Sequence, residues 1–173
     1  MKVLVTGAAG FIGGQLMHAL WSKGHTVVGV DNFSYGNADN LHFADHDFAA
    51  EVRTMDIRDK EGMAALFEAE RFDIVYNIAG IAPLPDCQSD PVEAVSVNTL
   101  GLVNVLEQSR RTGVKHVIQA STNAMYENET QFPTVEDHFN PPTLIYPNTK
   151  YCGERLPAQA AALCGVYDPG TLL

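Results

Sequence analysis

TGAAGFIGGQL, residues 6–16, follows directly on the apolar run Val3, Leu4, Val5 and carries Gly7, Gly10 and Gly13 at spacings of three. Lys2 to Thr6 reads as a short strand, Ile12 to Lys23 has helical spacing through Ile12, Leu16, Ala19 and Leu20, and Thr26 to Asp31 is apolar again. These three segments make a βαβ unit with the glycines at its first turn.

The alternation continues along the chain. Strands are expected at Val52 to Asp56, Asp73 to Asn77 and His116 to Ala120, and helices near Asp59 to Glu70 and Pro91 to Thr112. Short continuous apolar runs alternating with helices predict a doubly wound parallel sheet of the α/β class, covered on both faces. The polar stretches Ser34 to Asp47 and Asn128 to Asn148 are expected to be long excursions above the sheet, where ligands bind at the carboxyl ends of parallel strands.

Composition narrows the function classes. The chain has 173 residues, 46% of them hydrophobic and 18% charged, enough to build one core, so residues 1–173 are expected to form one domain. A formal net charge of -10 argues against nucleic acid as a partner, because phosphate binding needs a basic footprint. Cys87, Cys152 and Cys164 are odd in number and fit neither a disulfide framework nor a CxxC pair, which points to a reduced, cytoplasmic setting. No segment reads as a signal peptide or a membrane span, and no membrane partner is expected. His42 and His46, flanked by Asp45 and Asp47, lack an evident third ligand, so a solvated loop and no metal is the expectation.

The glycines each have a physical task if the turn holds a dinucleotide. Gly7 permits the sharp turn, Gly10 lets backbone amides approach a pyrophosphate, Gly13 lets helix pack on strand, and the helix N-terminus adds partial positive charge. The same trio also serves as a bare strand-to-helix turn. Asp31 favours the dinucleotide: it ends the second strand, where a carboxylate accepts hydrogen bonds from the adenosine ribose and repels a 2'-phosphate. The expected cofactor is therefore NAD rather than NADP.

TGAAGFIGGQL together with VVGVDNFSYGNADNL (27–41) resembles the start of the extended short-chain dehydrogenase/reductase family, the NAD-dependent sugar-nucleotide epimerases and dehydratases. MDIRD (55–59) is similar to the family's adenine-contacting Asp-apolar pair, and YNIAG (76–80) to its strand beside the cofactor. The resemblance implies a Rossmann-type fold and cofactor contacts at Gly7, Gly10, Phe11, Ile12, Gly13, Asp31, Asn32, Asp56, Ile57, Ala79, Gly80 and Asn98.

In YPNTK (146–150), Tyr146 and Lys150 are four apart, and a helix starting about Pro147 puts both on one side. QASTNAMYEN (119–128) is similar to the family's Ser/Thr-bearing strand end, with Thr122 at the catalytic hydroxyl. The resemblance implies that Tyr146 takes a proton from a substrate hydroxyl, Thr122 hydrogen-bonds the reacting oxygen, and Lys150 favours the phenolate; Tyr146 and Lys150 also contact the cofactor. Asn123 and Ala124 stand where the family's dehydratases carry an acid pair. Epimerisation of a nucleotide sugar through a keto intermediate is therefore the leading expectation, with a dehydratase or reductase as variants and a non-catalytic NAD sensor as the alternative. Pairing of the helix Pro91 to Thr112 and the Tyr146 helix with a second copy is implied as a homodimer.

Two features of the C-terminal end carry expectations. Pro157 is expected to bend or break the Tyr146 helix or to mark missing residues, at a cost of about 3 kcal/mol in an unbroken one. The sequence stops at Leu173, where 166–173 would begin a sixth strand, so the family's C-terminal substrate-binding region is expected to be missing.

Overall fold

The structure, a computed structural model, describes residues 1–130, 132–135 and 141–164, with 157–164 described by backbone alone. Five parallel strands, β1 (Lys2–Thr6), β2 (Thr26–Asp31), β3 (Val52–Thr54), β4 (Ile74–Asn77) and β5 (His116–Gln119), lie in the order β3-β2-β1-β4-β5. This is the doubly wound parallel sheet the alternation predicted, in the Rossmann-type arrangement the resemblance implied. The order reverses between β1 and β4, and the crevice at that switch point opens at the strands' carboxyl ends.

β1 is central because its sequence offers no polar face: Val3, Leu4 and Val5 are fully buried. α1 (Phe11–Ser22) and the segment through Leu41 and Phe48 cover one side, packing Met17, Val27 and Val5 together. On the other side α2 (Lys60–Glu70) and α5 (Leu102–Thr112) bury Leu4, Met63, Phe67, Val75 and Val105. Local sequence sets the helix ends. Asp59 caps α2 by accepting from the Gly62 amide at 3.0 Å, and Gly113, at φ 76°, closes α5 in the left-handed region.

Several boundaries differ from expectation. The helix expected over Pro91 to Thr112 is α4 (Pro91–Val95), a π-helical turn (Ser96–Gly101) and α5. The wider turn follows from Asn98, whose side chain is drawn inward to the backbone of Ile81. A short helix, α3 (Leu84–Ser89), was not foreseen; buried Cys87 anchors it. The strands Val52 to Asp56 and His116 to Ala120 end earlier, at Thr54 and Gln119, and α1 is shifted by one residue at each end. α6 (Ile145–Cys164) begins two residues before Pro147 and continues past Pro157, which does not interrupt it.

The first excursion begins at the carboxyl ends of the strands, where Ser34, Tyr35 and Gly36 lie, and its later part folds back over α1. His18 stacks on Phe43 at 4.2 Å between centroids and Trp21 on His46 at 4.4 Å. His18 pairs with Asp45, His42 with Asp47 and His46 with Glu51. Only parts of the second excursion are described, and 166–173, where a sixth strand was expected, lies outside the described residues. Among the described residues, no helix is long and apolar enough to cross a membrane.

Candidate active site

The glycine turn is built by close backbone approach. The Gly7 amide donates to the Val30 carbonyl at 2.8 Å, joining the end of β1 to β2. A Cβ on Gly13 would lie 2.0 Å from the Gly7 carbonyl oxygen, and one on Gly7 2.8 Å from the Ala79 nitrogen. Either substitution would force backbone apart, so helix, turn and β4 extension meet only because these positions lack side chains.

A cleft of about 600 Å³ opens over this turn. Gly7, Gly10, Phe11, Ile12, Gly13, Asp31, Asn32, Asp56, Ile57, Ala79 and Gly80, all singled out from sequence, line it. Phe11 and Ile12 are exposed at its mouth. The first turn of α1 has no acidic residue and no side-chain cap, which leaves its amides free for an anion. This cradle and the buried acid beside it fit a dinucleotide.

Asp31 is buried and fixed by main chain, accepting from the Ala9 amide at 2.9 Å and the Phe33 amide at 2.7 Å. Asp56 is held at a pKa of about 2, first by hydrogen bonds from the Arg58 guanidinium, against the opposing cost of burial. Asn32 also donates to it at 3.0 Å.

Arg58, not singled out from sequence, reaches from Asp56 to Glu93 at 2.7 Å and Ser96 at 3.1 Å. It ties the far end of the cleft to α4 and the π-helical turn. The only sequence signal was an arginine two residues after the acid. Tyr35 and Asp86, also missed, share a 2.8 Å hydrogen bond between the excursion and α3.

Asn98 lies behind the cleft rather than in its lining. Its Oδ1 accepts from the Ile81 amide at 2.7 Å, and its Nδ2 donates to the Ile81 carbonyl and to Thr149 Oγ1, each at 3.0 Å. Thr149 in turn donates to the Tyr146 carbonyl at 2.7 Å. Asn98 therefore joins the backbone beside Gly80 to the first turns of α6.

Tyr146 and Lys150 share one side of α6, with the Lys150 Nζ 5.9 Å from the centroid of the Tyr146 ring. Thr122 lies beside the Tyr146 hydroxyl, where it acts to lower the pKa of the phenol. Lys150 is 5% exposed, and its Nζ would be 3.3 Å from a Cβ on Gly80, which places it at the cleft's edge. Burial pulls its pKa down to about 8.

The electrostatics of Tyr146 differ from the simple expectation. Burial raises its pKa above the ordinary phenol value, and the neighbouring Thr122 side chain only partly offsets this. The protein alone therefore holds the phenol protonated. Cys87, fully buried beneath the pair, donates to the Ile81 carbonyl at 3.3 Å, and burial pushes its thiol pKa up. A phenol, an ammonium and a hydroxyl gathered beside Gly80, themselves outside the cleft lining, can exchange a proton with an alcohol bound there.

The model of the NAD dependent epimerase/dehydratase family matches residues 3–167. A UDP-glucose 4-epimerase from Mycolicibacterium smegmatis is 36% identical over 157 residues, which cover 89% of this chain and 49% of that protein. A UDP-glucuronic acid decarboxylase 1 from Danio rerio is 29% identical over 168 residues, 96% of this chain and 37% of that one. Among solved structures, a UDP-glucose 4-epimerase with UDP-glucose from Thermotoga maritima superposes with a TM-score of 0.90 at 34% identity, covering 96% of this chain and 53% of that one. A Thermus thermophilus UDP-glucose 4-epimerase complex with NAD gives a TM-score of 0.85 at 31% identity, with coverages of 96% and 53%. The chain thus spans about half the length of these epimerase relatives. With a fold, a cleft and a family model that agree over most of its length, the chain belongs to the NAD dependent epimerase/dehydratase family, whose cofactor is NAD.

Proposed function

We propose that residues 1–173 are the NAD-binding domain of an enzyme that epimerises a nucleotide sugar through a transient keto intermediate. The observation that carries this reading is the convergence of Tyr146, Thr122 and Lys150 beside Gly80, with Asn123 and Ala124 supplying no acid after Thr122. In the cleft, Gly7, Gly10 and Gly13 with the start of α1 hold the pyrophosphate, Asp31 the adenosine ribose, and Asp56 and Ile57 the adenine. Gly80 and Lys150 flank the nicotinamide ribose.

NAD, when bound, supplies a reversible hydride acceptor. Tyr146 takes the proton from the sugar hydroxyl, and Thr122 hydrogen-bonds the same oxygen as its carbon becomes a carbonyl. The Lys150 ammonium favours the phenolate. Because the protein alone raises the Tyr146 pKa, a cationic nicotinamide bound beside Gly80 would supply the charge that brings it down. When the keto sugar presents its other face, Tyr146 would give the proton back to the oxygen as the hydride held by the reduced cofactor returns to the carbon, which completes an epimerisation without a further acid.

Product analysis of the full-length protein with UDP-glucose and, separately, UDP-glucuronate tests this reading. A C4 epimer of the first substrate is the expected product. Release of CO2 from the second, or loss of water from either, would replace epimerisation by another family reaction; NAD binding without turnover would favour a cofactor sensor.

The homodimer is proposed to form on the outer face of the α4–α5 helix, where Val92, Val95, Leu100 and Val103 are exposed at 79%, 42%, 61% and 42%. A second copy presenting the same face, with that of α6, would bury this apolar row. The double change Val92→Asp and Val103→Asp is expected to yield a monomer by sedimentation equilibrium, with NAD affinity retained; an unchanged dimer would place the interface elsewhere. The free thiols Cys87 and Cys152 support the proposed cytoplasmic setting.

A further inference from the structure

The start of α6 has no local side-chain cap. Leu144, at the N-cap position, has no acceptor, and the Thr143 hydroxyl donates away from the helix to Glu127 at 2.8 Å. The opening amides are satisfied from elsewhere in the chain. One oxygen of Glu127, Oε1, accepts from the Thr143 amide at 2.5 Å and the Leu144 amide at 3.3 Å. Gln88, 57 residues away on α3, accepts from the Ile145 amide through Oε1 at 2.8 Å. Pro147 has no amide to satisfy, and the Asn148 amide reaches the Leu144 carbonyl at 3.3 Å.

Both acceptors of this split cap connect to the reacting groups. Glu127 ends the turn that begins at Thr122, whose side chain accepts from the Ala124 amide at 3.1 Å. The hydrogen bonds from Glu127 to Thr143 and Leu144 therefore close a loop whose two ends are Thr122 and Tyr146. They pinch the neck of the second excursion, so the spacing of the two groups is set independently of residues farther out. Gln88 follows Cys87, which packs with Ile81, Ala94 and Val97 under Ile145 and Tyr146. α3 thus supports the ring from below and holds the helix start. A carboxylate suits a helix N-terminus, where it meets the positive end of the dipole, and these amides hold the Glu127 pKa below the ordinary carboxyl value.

We infer that Glu127 and Gln88 are positioning residues that together form a non-local N-terminal cap of α6 and hold Tyr146 against Thr122. The inference rests on the proposed role of Tyr146 for its kinetic consequence and on hydrogen bonding alone for its structural one. Neither residue touches the dinucleotide cleft lining.

The test compares Glu127→Ala, Glu127→Gln and Gln88→Leu in the full-length protein by amide hydrogen exchange and steady-state kinetics with UDP-glucose. Glu127→Ala and Gln88→Leu are each expected to speed exchange of the Asn148–Lys150 amides by about tenfold. They are expected to lower kcat by about tenfold while leaving KM and NAD affinity within about twofold, because only the orientation of the proton acceptor changes. Glu127→Gln keeps an acceptor oxygen and is expected to recover most of both effects. Exchange and kcat at parental values in Glu127→Ala would overturn the inference, as would a parallel loss of NAD affinity, which marks general destabilisation. If the parent does not turn over UDP-glucose, the proposed function fails, and the exchange measurement still decides the cap.

Discussion

Replacing Tyr146 by phenylalanine is expected to slow hydride transfer by about 10²- to 10⁴-fold, the range typical of losing a general base, and to leave NAD affinity within about twofold. The split follows from the ring's surroundings. Tyr146 packs against the cluster of Ile81, Cys87, Ala94 and Val97, and phenylalanine retains all of that contact. What it loses is the hydroxyl beside Thr122. Thr122 keeps the Ala124 amide as a donor, so the strand end stays in place. Asp31, Asp56 and the glycine turn draw no hydrogen bond from the phenol. The measurement is reduction of bound NAD at 340 nm in a single turnover with UDP-glucose on the full-length protein. An unimpaired phenylalanine variant would remove Tyr146 from the mechanism and return the site to a cofactor-sensing reading.

The parts of this site that were legible in sequence share one property: their residues act through local spacing. Gly7, Gly10 and Gly13 lie on one turn, Asp31 terminates the strand that follows, and Tyr146 and Lys150 sit one helical turn apart. Such relations follow from the rise and period of single elements. The parallel sheet and its two covered faces were legible for the same reason, since buried parallel strands leave uninterrupted apolar runs.

What sequence did not reveal depends on contacts between distant segments. The π-helical turn exists because Asn98 bonds to Ile81 and Thr149, partners 17 and 51 residues away. Helical periodicity over Pro91 to Thr112 carries no trace of that local widening. The start of α6 was expected at Pro147, since proline favours the first helical position, but proline is equally free of cost elsewhere in the first turn, where its missing amide is an orphan anyway. Gln88 and Glu127 move the start to Ile145. The direction of the Tyr146 pKa was likewise hidden. A neighbouring lysine is visible in sequence, whereas the burial that raises the phenol's pKa is a property of the assembled core.

Replacing Lys150 by methionine is expected to stabilise the NAD-free protein at pH 7 by about 2 kcal/mol while abolishing efficient hydride transfer. The lysine stem lies in a buried channel, and no carboxylate pairs with its ammonium in the described structure. Its pKa falls from 10.5 to about 8 because burial penalises the charge. That fall corresponds to about 3 kcal/mol of unfavourable charge burial below pH 8, of which the looser fit of methionine returns a part.

The sign with pH is fixed by proton counting. Between pH 8 and 10.5 the unfolded chain holds a proton on this amine that the folded chain has released, so wild-type stability attributable to Lys150 rises with pH. The advantage of methionine is accordingly full below about pH 8 and shrinks toward pH 10.5. Urea unfolding of both proteins at pH 7 and pH 10 measures it, and a methionine variant that is less stable at pH 7 would show that the ammonium is not held at a cost. The same experiment with saturating NAD separates stability from function. A lysine held at the cleft's edge despite destabilising the free fold is the signature of a group kept for chemistry, and under the proposed function that chemistry is the charge it presents to Tyr146.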